Sequence, residues 1–376
     1  MVYFDNSATT KPCGKAIEYI NEALTNNWAN PSSLYDLGMN AEILVSKARQ
    51  AIAKVISARE DEIIFTSSGT EANNTAVMAA LHRKGIGKRI ITTEIEHPSV
   101  LETVKRLEDE GFEVIRLKAQ SDGTVSLSQL ESCLDSKTVL VSIMMVNNEI
   151  GTIQPIKEAA KLIRKLSPRA YFHCDAVQAF GKVSINVKDL DVDMLTASAH
   201  KIHGPKGVGF LYCKKGVAIK PFITGGGQEK GLRSGTESVP LIAGFLGAVE
   251  SLPDLKKQQE QLREIKEYAI SKFGECEKII INSPCQSVPF ILNISVMGYR
   301  SETLLHFLES KQIYVSSGSA CSKGEQSYVL SALGLDKKRT DSALRLSFSR
   351  YTEKEEIDLC LSALVEAVKR LRPSNI

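Results

Sequence analysis

The strongest constraint on this chain is an alternation. Between about residues 60 and 215, short apolar runs alternate with stretches of helical character. Glu62 to Thr66 reads as a strand, and Glu71 to His82 as a helix carrying Ala72, Ala76, Ala79 and Ala80. Arg89 to Thr93 is the next strand, then a helix from Pro98 to Glu110 that Gly111 caps, then a strand over Phe112 to Ile115. Further strands are expected at Val139 to Val146, Ala170 to Cys174, Met194 to Ser198 and Gly209 to Tyr212. Strands spaced by helices of this length build βαβ units, which gives an α/β fold with a mostly parallel sheet covered on both faces. The last two strands are close enough to pair antiparallel.

The pattern breaks at Ser251-Leu252-Pro253-Asp254, where a highly charged helix begins with Leu255, Leu262, Ile265 and Phe273 on one stripe. A second, smaller domain is expected to start there. It has strand signals near Phe290 to Ser295 and Ala343 to Phe348. A final helix opens on Thr352-x-x-Glu355, a capping-box pattern, with Ile357, Leu361, Leu364, Val365, Val368 and Leu371 at helical spacing. These stripes are the material of a packed core.

Composition enters as a set of exclusions. Lys+Arg 47 against Asp+Glu 44 is too balanced for a protein that binds nucleic acid directly through counterion release. The longest apolar run, Val139 to Val146, is interrupted by Ser142 and falls far short of the ~20 residues a membrane span needs. The opening Met1-Val2-Tyr3-Phe4-Asp5-Asn6 has neither a basic nor an apolar leader segment. Eight cysteines, none at Cys-x-x-Cys spacing, argue against disulfides and structural zinc and for reduced thiols in a cytoplasm. No dinucleotide or P-loop glycine fingerprint is present. His200 and His203 stand at His-x-x-His spacing, but no third ligand lies near them, so no metal is expected.

Three segments remain that suit one cofactor. Phe65 to Glu71 runs from a strand through a small polar turn, Ser67-Ser68-Gly69-Thr70, into a helix, where exposed N–H groups suit a phosphate. Asp175 follows the strand Tyr171 to Cys174 with Gln178 three residues on. A carboxylate there is either a ligand at the carboxyl edge of an open sheet or a plain helix cap. Ser198-Ala199-His200-Lys201 ends the next strand. Its lysine is either an ordinary surface residue or the amine that forms a Schiff base with an aldehyde cofactor. Pyridoxal phosphate needs such a lysine, an acid that keeps its ring nitrogen protonated, and a phosphate cup.

Taken in order, Asn6-Ser7-Ala8-Thr9-Thr10, Asn30-Pro31-Ser32-Ser33, Glu96-His97, Val146-Asn147-Asn148-Glu149, Asp175-Ala176-Val177-Gln178 and Ser198-Ala199-His200-Lys201 resemble one family. Gly225 to Glu229, Arg233-Ser234-Gly235-Thr236 and Ser316 to Cys321 extend the match over nearly the whole chain. The sequence is similar to cysteine desulfurases of the NifS/IscS type, class-V aminotransferases among the fold-type I pyridoxal-phosphate enzymes. The resemblance implies a large domain with a seven-stranded sheet at 13–252, and a small α+β domain made of 1–12 and 253–376. It implies that Lys201 carries the cofactor, Asp175 meets its ring nitrogen, Gln178 its ring hydroxyl, and His97 its face. Gly69, Thr70, Ser198 and His200 would hold the phosphate, with Thr236 reaching it from the second subunit of a homodimer. Asn147 and Arg345 would bind the carboxylate of L-cysteine, the guanidinium because its fork donates two parallel bonds.

Cys321 is the residue that would make the chain a desulfurase. It would take the substrate's sulfur as a persulfide, with Lys323 favouring the thiolate, and pass it to an acceptor for iron–sulfur cluster assembly or tRNA thiolation. Cys13 and Cys285 stand in loop-like stretches, while the other cysteines sit in apolar patterns suited to packing. Two departures bear on the acceptor. The stretch from Cys321 to Ser327 is shorter than in housekeeping iron–sulfur members, and the chain stops at Arg372 to Ile376 without their longer tail. An aminotransferase or a selenocysteine lyase of the same fold, or a non-catalytic sulfur-transfer scaffold, are the alternatives. The first two would keep Lys201 and Asp175 without requiring Cys321.

Overall fold

The structure, a computed structural model, describes residues 1–83, 85–317 and 327–373. The chain enters on β1 (Val2–Tyr3) and lays down two helices, Gly14–Asn26 and Asp36–Val55. It then builds the main sheet from β2 (Ile63–Thr66), β3 (Arg89–Thr93), β4 (Glu113–Leu117), β5 (Thr138–Ser142), β6 (Tyr171–Asp175), β7 (Met194–Ser198) and β8 (Gly209–Cys213). The strand order is β2-β8-β7-β6-β5-β3-β4. Five of these strands run parallel from β7 to β4, and β8 is antiparallel to both β7 and β2.

Period-two alternation explains why helices cover both faces. Ile64, Ile90, Leu140, Tyr171, Met194 and Leu211 enter one apolar cluster, with Ala76 and Val100 from the helices Gly69–Met78 and Pro98–Asp109. Their sequence neighbours Phe65, Ile91, Val141, Phe172, Leu195 and Phe210 face the opposite cluster. That second cluster also takes residues of the helices Gly14–Asn26, Asp36–Val55, Ile156–Leu166 and Val239–Glu250. Every residue of β2, β5, β6, β7 and β8 is buried, as strands covered on both faces must be.

The remainder forms β9 (Ile279–Ile281), β10 (Ile291–Val296) and β12 (Ala343–Ser347), an antiparallel sheet with β10 central. The helices Leu255–Gly274 and Lys354–Arg370 contribute Leu262, Phe273, Ile357 and Leu364 to the same apolar cluster that lines the main sheet. A short β11 (Ile313–Tyr314) pairs parallel with β1. Beyond β1 the N-terminal segment runs alongside β12 and onward to the end of β7. Ser347 donates its N–H to Phe4 O, and Thr10 donates its N–H to His200 O. Residues 4–10 therefore lie across both sheets where β6 and β7 end.

Two details depart from the sequence reading. The expected strand Val139 to Val146 stops at Ser142, because Met144 to Val146 turn toward a cavity while Met145 N–H still bonds Asp175 O. The capping box sits one residue later, on Glu353 and Glu356, since the Thr352 hydroxyl is already taken by Ser349 N–H. Cys13, in its loop-like stretch, is the N-cap residue of the helix Gly14–Asn26 and is buried, while Cys285 alone of the seven described cysteines is exposed. Gly111, at φ +82, ends its helix as expected, with Phe112 N–H reaching back to Leu107 O. No helix among the described residues is long and apolar enough to cross a membrane.

Candidate active site

In this sheet the carboxyl ends of β2, β7 and β6 lie along one edge, because Thr66 pairs with Gly209, which pairs with Ser198. The segments leaving that edge, with residues 7–8 and β12, enclose a cavity of about 270 Å³. Gly69, Thr70, His97, Asp175, Gln178, Ser198, His200, Lys201 and Arg345 all line it. Nine residues scattered from 69 to 345 in the sequence thus share one wall.

The helix Gly69–Met78 points its amino end at the cavity, with Ser68 as N-cap accepting from Glu71 N–H. Its first N–H groups carry the positive end of the helix dipole. A Cβ on Gly69 would stand 2.7 Å from Val177 Cγ2, so only glycine keeps the helix this close to the Asp175–Gln178 turn. One turn on, Asn73 donates from Nδ2 to Asp175 Oδ2 at 2.7 Å and to Ser99 Oγ at 2.8 Å. The other carboxylate oxygen accepts Val177 N–H at 2.9 Å. Asp175 therefore does what a cap does for its own turn and still presents a buried carboxylate to the cavity.

His97 begins the helix Pro98–Asp109, and its Nδ1 accepts from Ser99 N–H and meets Ser99 Oγ. That arrangement leaves the proton of the neutral ring on Nε2. Burial holds the imidazole below its ordinary value, Asp175 pulling it up and Lys201 pushing it down. His200 meets Thr9 Oγ1 through Nδ1 at 3.2 Å, and burial with the neighbouring Lys201 lowers it to about 3. Its imidazole is neutral at any physiological pH. His203 donates from Nδ1 to Lys11 O and also stays neutral, lowered by burial to about 4. The His-x-x-His pair is thus split between two partners, and among the described residues no cluster fit for a metal exists.

Lys201 donates from Nζ to Ala8 O at 2.9 Å and to Ser7 O. Arg345 is 2% exposed, donating from Nη2 to Asp5 Oδ1 at 2.9 Å and from Nη1 to Asn148 O at 3.0 Å. Its Nε, the Asn148 Oδ1 and the Ser7 Oγ are buried without a partner among the described residues. Unpaired polar atoms around one cavity mark a site shaped for a polar guest.

Asn147 is a correction. Its side chain is fully buried and spent on its own loop: Oδ1 accepts Glu149 N–H and Ile150 N–H, and Nδ2 donates to Ile95 O. The neighbouring Asn148 lines the cavity in its place. Thr236 lies outside the cavity as well, in a separate cleft with Ser67, Arg233 and Glu237. Cys321 lies outside the described residues. Three contributors were not read from the sequence: Asn73, Asn148 and the Ser7–Ala8 carbonyls. Asn73 carried a usable signal, one helical turn after Gly69–Thr70 on the same face.

Behind this wall stands a layer of buried titratable groups. Glu96 is wholly enclosed, Oε1 accepting from Thr93 Oγ1 and Met144 N–H, and burial pushes its carboxyl up to about 8. His173 bridges Ser142 Oγ and Thr196 Oγ1, and burial lowers it to about 4. Cys174 packs beside them with its thiol pushed well up by burial, so it is no nucleophile.

The donor set fits pyridoxal phosphate. An amine, a buried carboxylate, a helix amino end and an aromatic imidazole surround one cavity, and Gly69, where a β-carbon would meet Val177 Cγ2, lets the helix end come close against the Asp175–Gln178 turn.

Comparison with known proteins agrees. The aminotransferase class-V family profile matches residues 2–360. A NifS/IcsS protein homolog of Lactobacillus delbrueckii subsp. bulgaricus is 43% identical, the match covering 100% of this chain and 99% of the relative. A cysteine desulfurase of Nostoc sp. is 41% identical, covering 99% of this chain and 94% of the relative. Among solved structures, a NifS-like protein superposes with a TM-score of 0.93 at 38% identity, covering 98% of this chain and 100% of that one.

Proposed function

The chain belongs to the class-V aminotransferase family, and from that premise we propose that it is a pyridoxal-phosphate-dependent cysteine desulfurase, converting L-cysteine to L-alanine and passing the sulfur to Cys321. One observation carries the reading: Lys201, Asp175, His97 and the amino end of the helix Gly69–Met78 meet in one cavity together with the buried guanidinium of Arg345.

When bound, the cofactor supplies an electron sink for the substrate's carbon atoms. Asp175, fixed by Asn73 and Val177 N–H, would hold the ring nitrogen in its protonated form. Thr70, Ser198, His200 and the N–H groups at the helix start would hold the phosphate; a neutral His200 serves there as a donor or acceptor, not as a countercharge. Arg345, itself oriented by Asp5 and the Asn148 carbonyl, binds the carboxylate of L-cysteine. Asn148, not Asn147, is the asparagine available on that wall. Lys201 Nζ takes the proton from the substrate's α-carbon. The thiolate of Cys321 then bonds to the substrate's sulfur as the carbon–sulfur bond breaks. The electron pair of that bond stays with the carbon, which is protonated to the methyl group of L-alanine, and Cys321 is left as the persulfide. The terminal sulfur passes on to an acceptor, either a scaffold protein for iron–sulfur clusters or a tRNA-thiolating enzyme.

The working unit is a homodimer in a cytoplasm. Trp28, Leu34, Tyr35, Met39 and Ile43 form an exposed apolar stretch that a second copy would cover, and Thr236 would serve the partner's phosphate site. The test is stoichiometry. Protein loaded with pyridoxal phosphate and given L-cysteine with excess dithiothreitol releases alanine and sulfide in equal amounts. Product formation that waits on an added keto acid would instead make the protein an aminotransferase.

A further inference from the structure

We propose that Lys182 is a positioning residue for the cofactor site, fixing the side-chain amide of Gln178 so that its NH2 edge, and not its carbonyl, faces the cavity. The inference rests on the cavity's being the pyridoxal-phosphate site.

Gln178 is buried on the cavity wall. Its Oε1 accepts from Lys182 Nζ at 3.2 Å, and its Nε2 donates to Ser7 O at 2.9 Å. The same Ser7 carbonyl accepts from Lys201 Nζ. Flipping the amide would set an NH2 group against an amine donor and bring two carbonyl oxygens together, so both ends select one orientation. That orientation leaves the second N–H of Nε2 as the free donor of the side chain.

Lys182 has no other evident task. Among the described residues it pairs with no carboxylate; its ammonium lies 4.5 Å from the centre of the Phe290 ring. It shares with Lys201, His203, Gln258 and Arg350 a small cavity of about 20 Å³, room for a single water, and no carboxylate among the described residues lines that space. An amine in such company is costly to keep, and one that only packed would be better replaced by an apolar side chain. Burial and the neighbouring Lys201 bring Lys182 down to about 7, but the neutral amine and the ammonium both donate to Oε1. The amide is therefore held on either side of neutrality.

The readout is the visible spectrum of the holoenzyme titrated with base, without substrate. Gln178 as a donor stabilises the ionised ring oxygen of the cofactor; turned the other way, it would oppose it. Replacement of Lys182 by Met should raise the midpoint of the colour change by about one pH unit. Lys182→Arg, which keeps the donors, should stay within about 0.3 unit of wild type. In a Gln178→Ala background Lys182→Met should lose its effect. Should Lys182→Met fail to fold, Lys182→Leu, which likewise has no donor, serves as the second variant, with the same upward movement expected. An unmoved midpoint in the variant, or an equal movement with and without Gln178, overturns the proposal. Wild-type protein that stays colourless with pyridoxal phosphate overturns the cofactor reading itself, which separates the two failures.

Discussion

Replacing Arg345 by Lys keeps the charge and removes the fork. In the structure each terminal nitrogen of Arg345 has its own duty, Nη2 to Asp5 Oδ1 at 2.9 Å and Nη1 to Asn148 O at 3.0 Å. A lysine has one nitrogen, and the carboxylate of Asp5 retains it. The substrate's carboxylate then loses one charge-assisted hydrogen bond, worth about 1.5–3 kcal/mol. Converted at about 1.4 kcal/mol per decade, that is a fall of about tenfold to 150-fold in kcat/KM. The interaction is made equally in the ground and transition states, so the loss should fall on KM and leave kcat nearly unchanged. The assay is alanine formation from L-cysteine with excess reductant, run beside cysteamine, which lacks the carboxylate. Wild type should prefer L-cysteine, and the Arg345→Lys variant should lose most of that preference. If the variant still binds cofactor and its KM for L-cysteine stays within about twofold of wild type, Arg345 is not the carboxylate anchor.

The remaining expectations concern the layer around the cavity. His173 is lowered from its ordinary value of 6.5 to about 4, so the native state binds fewer protons than the unfolded chain in that interval. Its stabilising share is full above pH 6.5 and is lost as pH falls toward 4, up to about 3 kcal/mol; His173→Asn should flatten acid unfolding followed by circular dichroism. Glu96 behaves in the opposite sense. Its carboxyl is raised from 4.5 to about 8, so stability is full below pH 4.5 and falls as pH rises to 8, and Glu96→Gln should flatten the alkaline limb of urea-denaturation midpoints. Gly69→Ala should put its methyl against Val177 Cγ2 and cost about 1–3 kcal/mol, read as weaker pyridoxal-phosphate retention on dialysis with little change in far-ultraviolet dichroism.

The sheet was legible because its signal is periodic and redundant. Strands buried on both faces, such as β2 and β5, read as near-continuous apolar runs, and the sites at the strand ends follow from topology once the sheet is known. What stayed hidden was decided by geometry finer than a pattern. Asn147 and Asn148 are adjacent and chemically identical. Only the turn after Met144, which spends Asn147 on its own backbone, decides which of them faces the cavity. Asp175 could not be told apart as cap or ligand in the sequence, and it caps its turn with one oxygen while the other is held by Asn73. Lys182 read as one lysine among many. Its meaning depends on Ser7, which is brought to Gln178 by the N-terminal segment crossing both sheets. Contacts between residues so distant in sequence leave no local trace.

The most direct test of the account is a single-turnover experiment on holoenzyme without reductant. L-Cysteine is added in slight excess, the protein is alkylated, and the peptide carrying Cys321 is weighed by mass spectrometry while alanine is counted. The expected result is one added sulfur on Cys321, one alanine per active site, and neither product in the Lys201→Ala variant. Alanine formed at full yield with no sulfur on Cys321 would contradict it, and would move that cysteine out of the reaction.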